Sequence, residues 1–186
     1  PRNGAVDVHA DKHIIAFFKN GDYLLGTDGG LYKHIRTNDS WIDLEDIPTN
    51  QIYRVGYNPH ERDFYYGGLQ DNGTTAGNNN LIANWDRIYG GDGFQMAFNS
   101  KDPTIFYAEY QNGALQQYYH GNWRSFTRGL NGSKNWDFPY MVSRFNSQKL
   151  LAGSNQVYVN NIDTIAAWTA ISPNLVTPPR YASRSN

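Results

Sequence analysis

The feature that most constrains this chain is an internal repeat that occurs four times. Each copy contains a short apolar and aromatic hairpin, and the hairpins turn at Asp28-Gly29-Gly30, Asp71-Asn72-Gly73, Gln111-Asn112-Gly113 and Ser154-Asn155. Asp, Asn and Gly accept the positive φ angles that tight hairpins require. A second apolar stretch precedes each hairpin, at residues 13–18, 52–57, 94–99 and 140–145, and a tryptophan follows it, at Trp41, Trp85, Trp123 and Trp168.

The length of this repeat predicts the fold class. These four tryptophans are spaced 44, 38 and 45 residues apart. Repeats of about 40–45 residues with about four short strands are typical of β-propeller blades. We therefore predict an all-β chain, a β-propeller of about four blades with four antiparallel strands each. The predicted blades cover about 7–46, 51–88, 92–128 and 138–172, and residues 173–186 form a tail or linker. Four blades in an open arc expose two apolar faces, so we expect a larger propeller.

Composition excludes several classes of function. The formal net charge is −1, without a run of like charge, which argues against nucleic acid as a partner. No apolar stretch is long enough for a membrane span. The chain has no cysteine, which excludes disulfides and thiolate chemistry, and we expect no cofactor. It begins at Pro1, and we expect it to be a piece of a longer polypeptide or a processed product.

Loop carboxylates are the candidate functional groups. Asp92 lies in Gly90-Gly91-Asp92-Gly93-Phe94, where flanking glycines are expected to leave its carboxylate unshielded, so it is the best candidate for acid–base catalysis. Glu109 lies beside Tyr110, a pairing that suits a sugar because rings stack on C–H faces and carboxylates bind hydroxyls. Asp71 and Asn72 serve either the hairpin turn or a ligand.

A second group of candidates lies near the start of the chain. His9, Asp11 and His13 alternate, so they share one face if Val8 to Ile14 is a strand. Imidazole and carboxylate groups suit zinc or a similar ion, but residues at this spacing are too far apart for one ion to reach all three without a bend. The alternative is a polar face that lines a solvated channel. Asp11 and His13 are also candidate ligand contacts.

The motifs resemble a known group of propellers. GTDGGLYK, GGLQDNGT, GGDGF and YAEYQNGAL are similar to those of BNR/Asp-box repeat β-propellers, most of all the bacterial sortilin-like exported proteins and more distantly the xyloglucanase-type glycoside hydrolases. The resemblance covers residues 7 to 172, and the Asp-box itself is kept only as Asp39 and Trp41. It implies six to ten blades, with the remaining blades supplied by the parent chain, and a secreted or cell-surface bacterial location.

Three functions fit these observations. The first is a non-catalytic binding or scaffold propeller that recognises a polysaccharide or a protein through its blade-end loops. The second is a fragment of a glycoside hydrolase, which needs two carboxyl groups about 5–10 Å apart. The third is a structural module of an adhesin or filament. We expect a binding role in preference to an enzymatic one, since the sequence defines no catalytic set.

Overall fold

The computed structural model describes residues 6–44, 47, 50–80, 85–146, 148–162 and 166–176. These residues form sixteen β-strands and no helix. Each consecutive group of four strands makes one antiparallel sheet in chain order. The sheets consist of β1 (Lys12–Phe17), β2 (Tyr23–Thr27), β3 (Gly30–Ile35) and β4 (Ser40–Asp43); β5 (Arg54–Tyr57), β6 (Phe64–Leu69), β7 (Gly73–Asn78) and β8 (Asp86–Tyr89); β9 (Met96–Phe98), β10 (Ile105–Tyr110), β11 (Ala114–Tyr119) and β12 (Asn122–Ser125); and β13 (Tyr140–Val142), β14 (Lys149–Gly153), β15 (Val157–Asn161) and β16 (Thr169–Ala170).

This arrangement confirms the predicted fold class, an all-β propeller segment of four four-stranded antiparallel blades. The hairpins turn where the sequence predicts. Leu69 pairs with Gly73 and Tyr110 with Ala114, so three residues form each of these two loops. Asp71 and Asn112 have φ angles of 63°, which explains the choice of Asp and Asn there.

The first strand of each blade is shorter than its apolar stretch, except in the first sheet. β5 begins two residues after the start of its predicted stretch, β9 lacks two residues at its start and one at its end, and β13 ends three residues before its stretch does. In the predicted tail, residues 177–186 lie outside the described residues.

The chain divides into two compact units, Pro1–Gln51 and Ile52–Asn186. The first unit contains one sheet, whose β1 residues are all exposed. In the second unit, β5, β9 and β13 lie side by side as the first strands of three consecutive sheets. Its buried side chains form two layers. One is centred on Tyr66, Met96 and Phe98, and the other is centred on Tyr107 and Tyr158. The core of this unit is therefore the packing between blade faces.

The four repeat tryptophans occupy one equivalent position in their sheets. Trp41 pairs with His34 of β3, and Trp123 pairs with Tyr118 of β11. Trp85 lies one residue before the pair of Asp86 with Ala76, and Trp168 lies one residue before the pair of Thr169 with Val159. All four tryptophans therefore lie opposite the second-to-last residue of the third strand of their sheet.

Three of these tryptophans pack across their sheet on aromatic rings. Trp41 contacts Tyr23 and His34, and Trp123 contacts Phe106 and Tyr118. Trp85 stacks on Tyr65 in the second sheet. Trp168 differs, because it is buried and its indole N–H donates to the carbonyl oxygen of Phe126 at 2.7 Å. The repeat in the sequence is thus a repeat in packing for the first three sheets, whereas the fourth tryptophan has a different environment.

Candidate ligand-binding cleft

In the three sheets of the second unit, the glycine-rich hairpin turns and the segments that lead into the first strands lie at the same end of the strands. In each sheet the first strand begins beside the end of the second strand, as Arg54 does beside Gly68. The hairpin turns after β6 and β10 therefore lie at the same edge as the segments that precede β9 and β13. We name this the loop edge of the second unit.

Two glycine-rich motifs meet backbone to backbone at the loop edge. A Cβ atom added at Gly68 would collide with the carbonyl group of Phe94, and one added at Gly93 would collide with the carbonyl group of Gly73. The amide of Gly93 also donates to the carbonyl oxygen of Leu69 at 2.7 Å. The motifs GGLQDNGT and GGDGF are therefore two halves of one contact, and glycine is required because no side chain fits between the backbones.

Asp92 connects three segments of the loop edge. Its Oδ1 accepts a hydrogen bond from the amide of Asp71 at 2.9 Å, and its Oδ2 accepts one from the indole N–H of Trp136 at 3.2 Å. Its own amide donates to the Oε1 atom of Gln111 at 3.0 Å. Sequence reasoning expected this carboxylate to be unshielded, whereas the structure has both of its oxygens engaged. The neighbouring Asn72 makes a long local contact to the carbonyl oxygen of Gln70 at 3.4 Å.

Aromatic rings form one side of the loop edge. The ring of Trp136 lies 4.5 Å from that of Phe94 and 5.8 Å from that of Tyr53, edge to face in both cases. The Tyr53 hydroxyl donates to the Oε1 atom of Gln70 at 2.8 Å. Trp136 is 37 % exposed and Tyr53 is 43 % exposed, so both rings offer surface to a ligand. Sequence reasoning missed Trp136 because it is the one tryptophan outside the repeat.

A cleft of about 540 Å³ opens beside these rings. It is lined by Arg54, Gln95, Asn135, Trp136, Asp137 and Pro139. The Arg54 guanidinium forms an ion pair with the Asp137 carboxylate, which joins β5 to the segment before β13. The cleft therefore combines an aromatic ring, an ion pair and two side-chain amides.

Glu109 lies buried behind this cleft. Its side chain is fully inaccessible to solvent, and neither carboxyl oxygen has a hydrogen-bond partner. Burial, and then the charge of Asp137, raises the pKa of Glu109 to about 9. The nearby amide of Phe138, the charge of Arg54 and the nearby amide of Gln95 oppose this rise in the pKa without cancelling it, although neither amide forms a hydrogen bond of normal geometry with the carboxyl group. At neutral pH Glu109 is therefore an uncharged carboxylic acid.

Glu109 and Tyr110 do not form a common surface. They are consecutive residues of β10, so their side chains point to opposite faces of the sheet. Tyr110 is 36 % exposed, and its ring lies 6.0 Å from that of Tyr89. Side chains alternate between the two faces of a sheet along a strand, so the sequence itself predicts that consecutive residues such as these lie on opposite faces.

The candidates at the start of the chain lie in the first unit. β1 begins at Lys12, so His9 and Asp11 precede the strand and His13 lies within it. Asp11 donates its amide to the Nδ1 atom of His9 at 3.3 Å. His13 instead pairs with Asp28, with 2.5 Å between Nε2 and Oδ1. The three residues therefore do not line one strand face.

The comparisons with known proteins identify the fold. No family model matches the chain, and no curated protein matches it in sequence. Its structure is similar to that of an ancestral GH74 enzyme, with a TM-score of 0.53 and 16 % identity over 93 % of this chain and 25 % of that one. It is also similar to the extracellular domain of a hybrid two-component system from B. thetaiotaomicron, with a TM-score of 0.51 and 17 % identity over 98 % of this chain and 24 % of that one.

A further similarity, to the GH74 enzyme of Niastella koreensis, has a TM-score of 0.48 and 18 % identity, over 86 % of this chain and 29 % of that one. The chain thus spans about a quarter of the length of the first similar structures. At these identities the similarity concerns the fold, a propeller of the kind found in GH74 enzymes. No helix among the described residues is long and apolar enough to cross a membrane.

Proposed function

We propose that this protein is a non-catalytic binding propeller that recognises a glycan at the cleft of the loop edge. The observation that carries this proposal is the pair of exposed rings, Trp136 and Tyr53, next to an ion pair and two side-chain amides. A sugar presents apolar C–H faces and hydroxyl groups together. Rings bind the C–H faces, while carboxylate, guanidinium and amide groups bind the hydroxyls.

The hydrogen bonds, burial and ion pairing of the candidate carboxyl groups favour ligand binding over hydrolysis. Hydrolysis of a glycosidic bond requires two carboxyl groups that reach the scissile bond from opposite sides. Asp92, the best candidate in the sequence, has both oxygens in hydrogen bonds within the protein. Glu109 is sealed from solvent, and Asp137 is held by Arg54. These contacts support a surface that holds a ligand in preference to one that cleaves it.

The test is binding of soluble oligosaccharides from a panel of bacterial and plant polysaccharides that includes xyloglucan. We expect at least one to bind, and we expect Trp136→Ala to weaken it by about tenfold or more, a loss of about 1.4 kcal/mol. Trp136→Phe keeps a ring without the N–H that Asp92 accepts, so it separates stacking from positioning. Isothermal titration calorimetry measures both effects.

Phe145→Ala is the matched control for removal of an exposed aromatic side chain. Phe145 is fully exposed and lies after β13, at the end of the sheet away from the loop edge. We expect its removal to leave affinity unchanged. Failure of every oligosaccharide to bind would refute the proposal, and release of reducing ends that Asp92→Asn abolishes would favour the glycoside hydrolase alternative.

We further propose that the chain belongs to a larger propeller in an exported bacterial protein of the BNR/Asp-box, sortilin-like type. First strands carry exposed apolar side chains that further blades would cover. Val55 and Tyr57 of β5 are 74 % and 73 % exposed, and Met141 of β13 is 42 % exposed. The remaining blades would come from the parent chain. An extracellular location is consistent with the similar domain from B. thetaiotaomicron, which is described as extracellular.

A further inference from the structure

The Glu109 carboxyl group has an unusual setting within the second unit. It is completely buried on β10, and both of its oxygens lack hydrogen-bond partners. It lies against the segments that carry Gln95 and Phe138, whose amides influence its ionisation. Gln95 and Asp137, the residue before Phe138, line the cleft itself. A buried polar group without hydrogen bonds is costly to the fold, so its presence calls for a physical explanation.

Charged and titratable groups face Glu109 from several elements. Arg54 of β5 favours its ionised form, and Asp137 from the segment before β13 opposes it. Tyr140 of β13 is fully buried nearby, and this burial, followed by the charge of Glu109, raises the pKa of its phenol well above the usual value. Tyr107 lies on the same face of β10 and is also buried. Of these groups, Arg54 and Asp137 are paired with each other and line the cleft.

We propose that Glu109 is a positioning residue that couples ligand binding in the cleft to a proton, because its ionisation state determines whether Arg54 stays paired with Asp137. The proposal rests on the proposed function only in its statement about ligand binding. The link between Glu109 and the ion pair stands independently of the ligand.

The coupling follows from charge. With a proton on Glu109, Arg54 has one carboxylate partner, Asp137, and the cleft wall keeps its form. When Glu109 loses the proton, the new buried charge attracts the Arg54 guanidinium and repels the Asp137 carboxylate. The ion pair then opens, and the wall between Arg54 and Trp136 rearranges. Ligand affinity should therefore fall as pH rises through the ionisation of Glu109.

Nuclear magnetic resonance tests the coupling without any ligand. The chain has three glutamates, Glu45, Glu61 and Glu109, so ¹³C-labelled glutamate gives three carboxyl signals, and Glu109→Gln assigns one of them. We expect this signal to titrate at alkaline pH. The indole N–H signal of Trp136, next to Asp137 in the chain, reports on the cleft wall. We expect it to shift with the same midpoint in the wild type and not in Glu109→Gln.

Two further variants fix the direction of the coupling. Asp137→Asn removes a repulsive charge and frees Arg54, so it should lower the Glu109 midpoint. Arg54→Gln removes an attractive charge and should raise it. A Glu109 midpoint in the ordinary acidic range, or an indole shift that persists in Glu109→Gln, would overturn the proposal. Unfolding of the wild type before the indole signal moves would also overturn it, because the proton would then stabilise the fold alone.

The ligand experiment uses whichever oligosaccharide of the panel binds best at pH 6. We expect the wild type to lose about tenfold in affinity or more between pH 6 and pH 10, and Glu109→Gln to bind equally at both. Equal loss in the variant would refute the coupling while leaving glycan recognition intact. If no oligosaccharide binds, the proposed function fails, and the resonance experiment still decides whether Glu109 controls the ion pair.

Discussion

At the scale of single residues, Glu109 departs most from what a glutamate ordinarily does. An ionised carboxylate without partners is disfavoured in a protein interior, so the group keeps its proton instead. The raised pKa determines how the free energy of unfolding changes with pH. In the unfolded chain the glutamate ionises near its ordinary pKa of 4.5, whereas in the folded protein its pKa is about 9. Between these values the folded state binds more protons than the unfolded state.

We therefore expect the protein to lose stability as pH rises from about 4.5 to 9. The largest slope that one group can cause is about 1.4 kcal/mol per pH unit. Glu109→Gln, which cannot ionise, should remove this contribution and be more stable than the wild type at pH 8–9. Urea denaturation at several pH values measures the difference. Glu61→Gln is the control, since Glu61 is exposed, and an identical pH profile for Glu109→Gln and the wild type would contradict the expectation.

The same residues show how far sequence reasoning extends at this scale. The turn residues Asp71 and Asn112 could be predicted because positive φ is a local property of the backbone. The partners of Asp92 could not, since Asp71 approaches it from the second blade and Trp136 from the segment before β13. The setting of Glu109 could not be predicted either, since Phe138, whose amide lies near its carboxyl group, comes from the segment before β13. A site assembled from three blades leaves little trace in any one segment.

At the scale of elements, the four sheets could be predicted from the sequence repeat. The backbone contact between the second and third blades could not. Strand number, order and hairpin positions agree with the sequence pattern because register and turn chemistry are local. The glycines of GGDGF looked like loop residues that project a carboxylate. Their main role is to let two backbones approach, which requires knowledge of the neighbouring sheet.

This contact makes a clear prediction for Gly93. In Gly93→Ala the added methyl group meets the carbonyl group of Gly73, and backbone atoms cannot move aside as a flexible side chain can. We expect a loss of about 3 kcal/mol in the free energy of unfolding. Chemical denaturation measures it.

Gly153→Ala is the matched control within a strand of the same unit. Its added methyl group would lie 3.7 Å from the Cγ atom of Pro139, an ordinary contact, so stability should be unchanged or slightly increased. Equal effects of the two substitutions would show that the backbone contact at Gly93 is unimportant.

At the scale of the whole molecule, the second unit contains everything on which the proposed function depends. Both core clusters and all the residues that line the cleft belong to Ile52–Asn186. A compact unit with its own core can fold alone. The first unit has a single sheet with little buried surface, so it cannot be expected to do the same.

We therefore expect a fragment of residues 52–186 to fold cooperatively and to keep the cleft. Thermal unfolding followed by circular dichroism should give one transition, and the Trp136 indole signal should match that of the full chain. A fragment of residues 1–51 should show no cooperative transition. If residues 52–186 remain unfolded, the first unit is required for the core, and the division into two compact units has no thermodynamic meaning.

The contact between Gly68 and Phe94, and between Gly93 and Gly73, also bears on how such a protein can change over generations. Repeat proteins commonly gain, lose or shuffle single repeats. Here the second repeat supplies one side of the backbone contact and the third repeat supplies the other side. Neither repeat can therefore be duplicated or exchanged without its neighbour. The smallest piece that recombination can transfer intact is a pair of adjacent repeats.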